Sequence, residues 1–236
     1  MTTADSPQRA DGWTAAVRQR LGLGRLLPLG GPGDGTWIAE RAAASVLRDA
    51  AAGQDAVLGR LRIGPAELGA GAAPAAEGAV VPAPPSAYPA GPLRIEAEFS
   101  ATLGRPLPAT AEALRSVLLD AARERLGMVV TGADLRVTEL LDSGPGPVET
   151  PAAEVRAAAV QGAAATAAAA VPGVVALTRV LGSAVHTGED HVRVEVATSG
   201  DHRALDVAQA VRAAVTAATE GRPPVSVLVT AVVATD

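Results

Sequence analysis

The chain has 236 residues, 48% of them hydrophobic, enough for one large or two small domains that each bury a core. Aromatic residues make up only 2%, so that core must be assembled from Ala, Val and Leu. Every basic residue is Arg and the net charge is −5, which leaves no broad positive surface for a phosphate backbone; zero cysteines exclude disulfides, thiolate zinc sites, iron–sulfur clusters and thiol nucleophiles.

Residues 11–21 place Trp13, Ala16, Val17 and Leu21 on one helical face, with Asp11 as the cap, and predict a short amphipathic helix. Such a helix lies on a membrane surface or packs on its own domain, and the second fate is the expectation. The next residues, Gly30-Gly31-Pro32-Gly33-Asp34-Gly35, read as a flexible turn cluster. A phosphate-binding reading of these glycines needs a preceding strand and a Lys followed by Ser or Thr, and the pattern supplies neither.

Helical spacing then runs over 37–51, and a strand over 56–63. Residues 64–91, with Pro82-Ala83-Pro84-Pro85, are expected to form a mobile connection; a Pro-rich ligand segment is the alternative, but it lacks a spaced basic anchor. Leu93, Ile95, Ala97 and Phe99 alternate with Arg94, Glu96 and Glu98, the period of a strand with one wet face. A helix is predicted over 110–126 and a strand over 134–141, after which residues 142–147 punctuate the chain.

The order then begins again. Residues 152–170 form an Ala-dominated helix of high propensity, stopped by Pro172-Gly173. Residues 174–185 and 192–198 read as strands around the turn Thr187-Gly188-Glu189-Asp190. Asp201 is positioned to cap a helix carrying Val207, Ala208, Val211, Ala214, Val215 and Ala218, and 223–233 is the last strand. Leu93 to Ser100 aligns with Val192 to Ser199, with Arg, Glu and Ser identical. Ala113-Leu114-Arg115 aligns with Ala210-Val211-Arg212, and Leu135-Arg136-Val137-Thr138 with Val227-Leu228-Val229-Thr230.

The fold class expected is therefore α/β (α+β), with two related units, each helix-strand-strand-helix-strand around a three-stranded sheet, plus the amino-terminal helix. Residues 1–35 hold that helix and the Gly-rich turn, 36–142 the first unit with its Pro/Ala-rich insertion, 143–151 a linker, and 152–236 the second unit. In so biased a composition two α/β segments also look alike by chance; agreement in element order favours duplication.

From Ala163 to Val233 the chain resembles the alkaline-shock-protein or general-stress family of envelope stress response proteins. The features that carry this are Ala167-Ala168-Ala169-Ala170-Val171-Pro172-Gly173-Val174, then His191-Val192-Arg193-Val194-Glu195-Val196, Ala208-Gln209-Ala210-Val211-Arg212 and Val225-Ser226-Val227-Leu228-Val229. Residues 93–99 and the helix after them match more faintly. The resemblance implies a non-enzymatic, oligomer-prone cytoplasmic protein held beneath the membrane by an integral membrane partner, with no catalytic residues or cofactor to carry over. The Arg-only, Ala-rich composition is similar to that of actinobacterial proteins, and the whole chain also resembles actinobacterial members of the nucleopolyhedrovirus fibril-protein family.

The sharpest chemical alternative is a metal-binding protein or hydrolase in which His186, His191 and His202, with neighbouring carboxylates, converge on one ion. Glu96 and Glu98 share a strand face as an acid/base pair would, although Arg94 beside them favours a solvated, salt-linked surface. No Gly-x-Ser-x-Gly elbow occurs. An RNA-binding module is the third class, disfavoured by the acidic balance and by the lack of stacking aromatics beyond Trp13, Trp37, Tyr88 and Phe99. No apolar run reaches the about 20 residues of a spanning helix, and no signal-peptide core is present, so a cytoplasmic protein without a membrane span is expected.

Overall fold

A computed structural model describes residues 22–66, 81–142, 155–188 and 190–234. The helix expected at 11–21, the linker 143–151 and half of the Pro/Ala-rich insertion lie outside these residues. The fold is mixed α/β, with one three-stranded sheet and one larger sheet.

Strand β1 (Leu26–Pro28) pairs antiparallel with β2 (Thr36–Ala39), which leads directly into helix α1 (Glu40–Ala51). The helix expected from Trp37 thus starts three residues late. Thr36, Trp37, Ile38 and Ala39 are all buried, and this short apolar run lies parallel against Val227 to Val229; burial in a sheet overrides the helical spacing. Glu40 in the first turn of α1 and Arg48 in the last suit the helix dipole.

Next come β3 (Ala56–Pro65) and β4 (Leu93–Thr102), antiparallel to each other. Between them, part of the insertion expected to be mobile is anchored: Ala87 bridges Leu26, and the Tyr88 N–H donates to the Leu26 carbonyl at 2.9 Å. Helix α2 (Leu107–Asp120) begins earlier than predicted, because Pro108 suits a first turn that needs no amide donor. It continues as a π-helical turn (Ala121–Leu126) ended by Gly127 at φ 85°. Strand β5 (Val130–Leu141) then runs parallel to β4.

The second half departs most at its start. Among the described residues, the Ala-rich helix expected over 152–170 is limited to α3 (Gly162–Ala169). Residues before it are extended: Ala157 bridges Thr178, and the Ala158 N–H donates to the Leu177 carbonyl at 2.7 Å. Pairing to a strand edge outcompetes alanine's helix propensity there. The long strand expected at 174–185 is two short ones, β6 (Val174–Leu177) and β7 (Val185–Thr187), both on the same edge of β8 (Val192–Ser199). Helix α4 (Ala204–Ala218) has Arg203 at its N-cap rather than Asp201; Asp201 instead bonds Ser199. Strand β9 (Val225–Val233) closes the chain's order.

The larger sheet runs β1-β2-β9-β8-β6, with β7 also on β8, so it has six strands where three were expected. Its extra strands are 26–28 and 36–39, which the sequence assigns to the amino-terminal segment and the first unit. Both sheets share one local order: β3 antiparallel to β4 with β5 parallel beyond it, and β6 antiparallel to β8 with β9 parallel beyond it. Register sets Ile95 against Ala133 and Val194 against Val227, so the structural counterpart of Val227 is Ala133. The alignment of Leu135 with Val227 is thus two residues out, a slip that preserves the face.

Helix α1 touches β3 of the small sheet, β9 of the large one and the π-helical turn. The sheets therefore share one apolar core, with Leu47, Phe99, Leu114, Ile38, Val196, Val211 and Val229 in a single cluster. Phe99 is its one phenylalanine and is fully buried. Phe99→Ala is expected to cost about 3–5 kcal/mol, because a close-packed core relaxes only partly into the space left; urea unfolding of the two proteins measures it.

Candidate functional site: a charged recess on the small sheet

The open face of the small sheet carries a row of charges fixed by strand register. Arg62 of β3 lies opposite Glu96 of β4, which lies opposite Asp134 of β5. One step along, Arg94 sits between Gly64 and Gly132. Burial along β4 alternates, with Leu93, Ile95, Ala97 and Phe99 inward and Arg94 and Glu96 outward, as the period-two pattern predicts.

Arg94 reaches across to β5 and grips Asp134 with two nitrogens, Nε to Oδ2 and Nη2 to Oδ1, the latter at 2.6 Å. Such a fork fixes a guanidinium in direction as well as position. Gly132 makes room for it, since a Cβ there would stand 3.3 Å from Arg94 Nη1. The hydrogen bond from Arg94 is the main reason the Asp134 carboxyl is held below its ordinary value of 3.8; the charges of Arg94 and Arg115 add to it, and partial desolvation opposes it.

The side wall comes from elsewhere in the chain. The Arg25 guanidinium lies 5.3 Å from the centre of the Tyr88 ring, a cation–π contact, and Tyr88 is held by its backbone bond to Leu26. Glu40 ties the wall to the sheet by accepting the Arg25 N–H at 3.1 Å and the Ile63 N–H at 3.3 Å. The result is an open recess of about 670 Å³ lined by Arg25, Arg62, Tyr88, Arg94, Glu96 and Asp134. No ion pair engages Arg62 or Glu96 among the described residues. Guanidinium donors, the Glu96 carboxylate and an aromatic face suit a ligand with alternating donors and acceptors, such as a peptide backbone with an acidic side chain.

The corresponding pair in the large sheet has the opposite fate. Arg193 and Glu195 are buried, Glu195 completely, and their side chains approach to 3.8 Å. The residues between β6 and β7 cover Glu195: its carboxylate accepts the Val180 N–H at 2.6 Å and the Leu181 N–H at 3.1 Å. This cover also explains the broken strand, because the chain must leave β8 here to aim two amides at the acid.

Of the predicted acid/base pair, Glu96 is exposed and Glu98 half-buried, and register sets Glu98 against Arg136. The three histidines do not converge. His186 and His191 lie with ring centres 6.3 Å apart, whereas His202 follows the far end of β8, beside Gly173. Eight residues of extended chain, about 3.3 Å each, separate His191 from His202. Among the described residues no three His, Cys, Asp or Glu are grouped to hold a metal ion.

The glycine cluster is not loose. A strand, β1, does precede it, but another strand follows, and Asp34 fills its concave side by accepting the Gly31 N–H at 2.6 Å. Gln209 holds Asp34, and Arg212 of α4 donates to the Gly33 and Asp34 carbonyls. The place an anion would take is occupied by the protein's own carboxylate.

Sequence reasoning found Arg94 and Glu96 but missed Arg25, Arg62, Tyr88 and Asp134. The glycine inside β5, Gly132, is the signal that a side chain lies over the sheet there. No protein-family model, curated protein or solved structure matches this chain.

Two outcomes follow for the matched carboxylates. Glu195→Ala strands a buried guanidinium and two amides and is expected to cost about 3–5 kcal/mol, while Glu96→Ala stays within about 0.5 kcal/mol; chemical denaturation separates them. The Asp134 carboxyl, followed by carbon-detected NMR, should titrate below 3.8 and return towards it in Arg94→Gln. With the folded value lowered, the pair's small contribution to stability is complete above the unfolded pKa and lost as pH falls through the folded one.

Proposed function

We propose that this chain is a non-enzymatic scaffold or interaction protein whose recess on the small sheet binds an extended segment of a protein partner. The observation that carries the reading is the contrast between Glu96 and Glu195. At Glu195 a length of the chain itself supplies the backbone N–H donors. At Glu96 the same strand position is open, with Arg62 and Arg94 beside it. A partner's backbone amides meet Glu96 as Val180 and Leu181 meet Glu195, and an acidic side chain on the partner meets the guanidinium groups.

The shared strand order of the two sheets, together with the identical Arg and Glu residues, supports a duplicated unit in which one copy closed over its polar face and the other kept it for recognition. The resemblance to the alkaline-shock or general-stress family supports a cytoplasmic, envelope-associated role reached through an integral membrane partner. Among the described residues no helix is long and apolar enough to cross a membrane, so the reading places the membrane contact on the partner.

A photo-crosslinking amino acid in place of Arg62 tests this in cells, with the same group at the exposed Glu220 as control. Position 62 is expected to trap one partner polypeptide and position 220 none, and Glu96→Ala to reduce the yield about tenfold, the worth of a hydrogen bond to a charged group. Equal adducts from both positions, or indifference to Glu96→Ala, would overturn the proposal. A trapped protein without a membrane span removes the envelope placement.

A further inference from the structure

We infer that β5 is a self-association edge, through which two copies of the chain join their small sheets into one continuous six-stranded sheet. β5 is twelve residues long, about twice the usual strand, and contains no proline. One edge pairs with β4 along its whole length; the other has no strand beside it among the described residues. Arg136 to Leu140 are all exposed, including the apolar Val137 and Leu140, and Val129 just before the strand is 48% exposed. An edge of this length presents a row of unpaired N–H and C=O groups, and proteins that stay monomeric usually shorten, charge or cover it.

The centre of the edge is regular, from Gly132 to Val137. Register against β4 slips at Thr131 and Thr138, and at each slip the threonine hydroxyl donates to a β4 carbonyl, Leu93 at 3.2 Å and Phe99 at 3.3 Å. The extra residues are thereby satisfied within the sheet, leaving a straight stretch between them.

Symmetry and charge together favour the register that sets opposite charges against each other at the middle of the regular stretch. Two antiparallel copies of a strand are related by a twofold axis perpendicular to the sheet, which keeps faces matched and requires the pairing to centre on a residue. Centred on Asp134 or Arg136, the pairing sets like charges against each other. Centred on Leu135, Asp134 of each copy faces Arg136 of the other, Ala133 faces Val137, and Val130 faces Leu140. This register centres on the regular stretch from Gly132 to Val137, and it brings the exposed Val137 and Leu140 under the partner strand. Asp134 keeps its bond to Arg94, since a carboxylate has acceptor positions for two guanidinium groups. The two recesses then lie on one face of the joined sheet.

Sedimentation equilibrium of the full chain reads the association, with circular dichroism to establish that each variant is folded. The wild-type chain is expected to form a dimer that weakens as salt is raised. Arg136→Asp places like charges opposite each other and should raise the dissociation constant at least about tenfold. The exchange Asp134→Arg with Arg136→Asp restores the opposition and should restore the dimer. A monomeric wild type, a dimer indifferent to Arg136→Asp, or a folded exchange variant that stays monomeric would each overturn the inference. None of these outcomes depends on whether position 62 traps a partner, so failure here and failure of the recess reading are distinguishable.

Discussion

The constraint on which the rest of the structure depends is that a chain with almost no aromatic residues must reach close packing with small side chains. Alanine, valine and leucine fill space only if backbones approach closely. The molecule does this at its seams. Gly127 ends the π-helical turn against α4 so tightly that a Cβ would stand 2.4 Å from that of Leu205. Helix α1, whose buried face is mostly alanine, sits close enough to both sheets to merge their cores. What would be two small, weakly stable units become one larger core, which buries a greater share of its surface.

Against this shared framework the two Arg–Glu pairs show how environment, and not residue type, decides what a charge does. Glu195 is removed from water and compensated by two amides and a guanidinium, so it acts as a fixed point for the chain that folds over it. Glu96 stays in water, where its interaction with neighbours is screened and worth little to stability. A residue that contributes little to folding is free to be used in recognition. Arg94 lies between these cases: solvent reaches it, yet its fork onto Asp134 gives it a defined direction.

Much of the secondary structure was legible because its signal is local. The alternation from Leu93 to Phe99 and the apolar stripe of Val207, Val211 and Val215 appear as written in the chain. The failures share a cause. Thr36 to Ala39 became a strand, the residues before Gly162 stayed extended, and the stretch from Val174 to Val185 broke in two because each answers to a distant partner: β9, Leu177 and Glu195 respectively. The recess was half legible for the same reason. Arg94 and Glu96 lie on one strand, but Arg25, Arg62, Tyr88 and Asp134 come from four other stretches, and only register and tertiary contact collect them.

The pairing of β2 with β9 sets an order in time. Thr36 and Val227 are far apart in the chain, so the large sheet cannot be completed until everything between them has left the ribosome. The small sheet needs nothing beyond Leu141 and is free to form while the rest is still being made. During that interval β1, β2 and the apolar face of α1 have no large sheet to rest on. Closing a loop of this length is slow compared with local helix and hairpin formation. The nascent chain is thus most exposed to unwanted association just before β9 arrives.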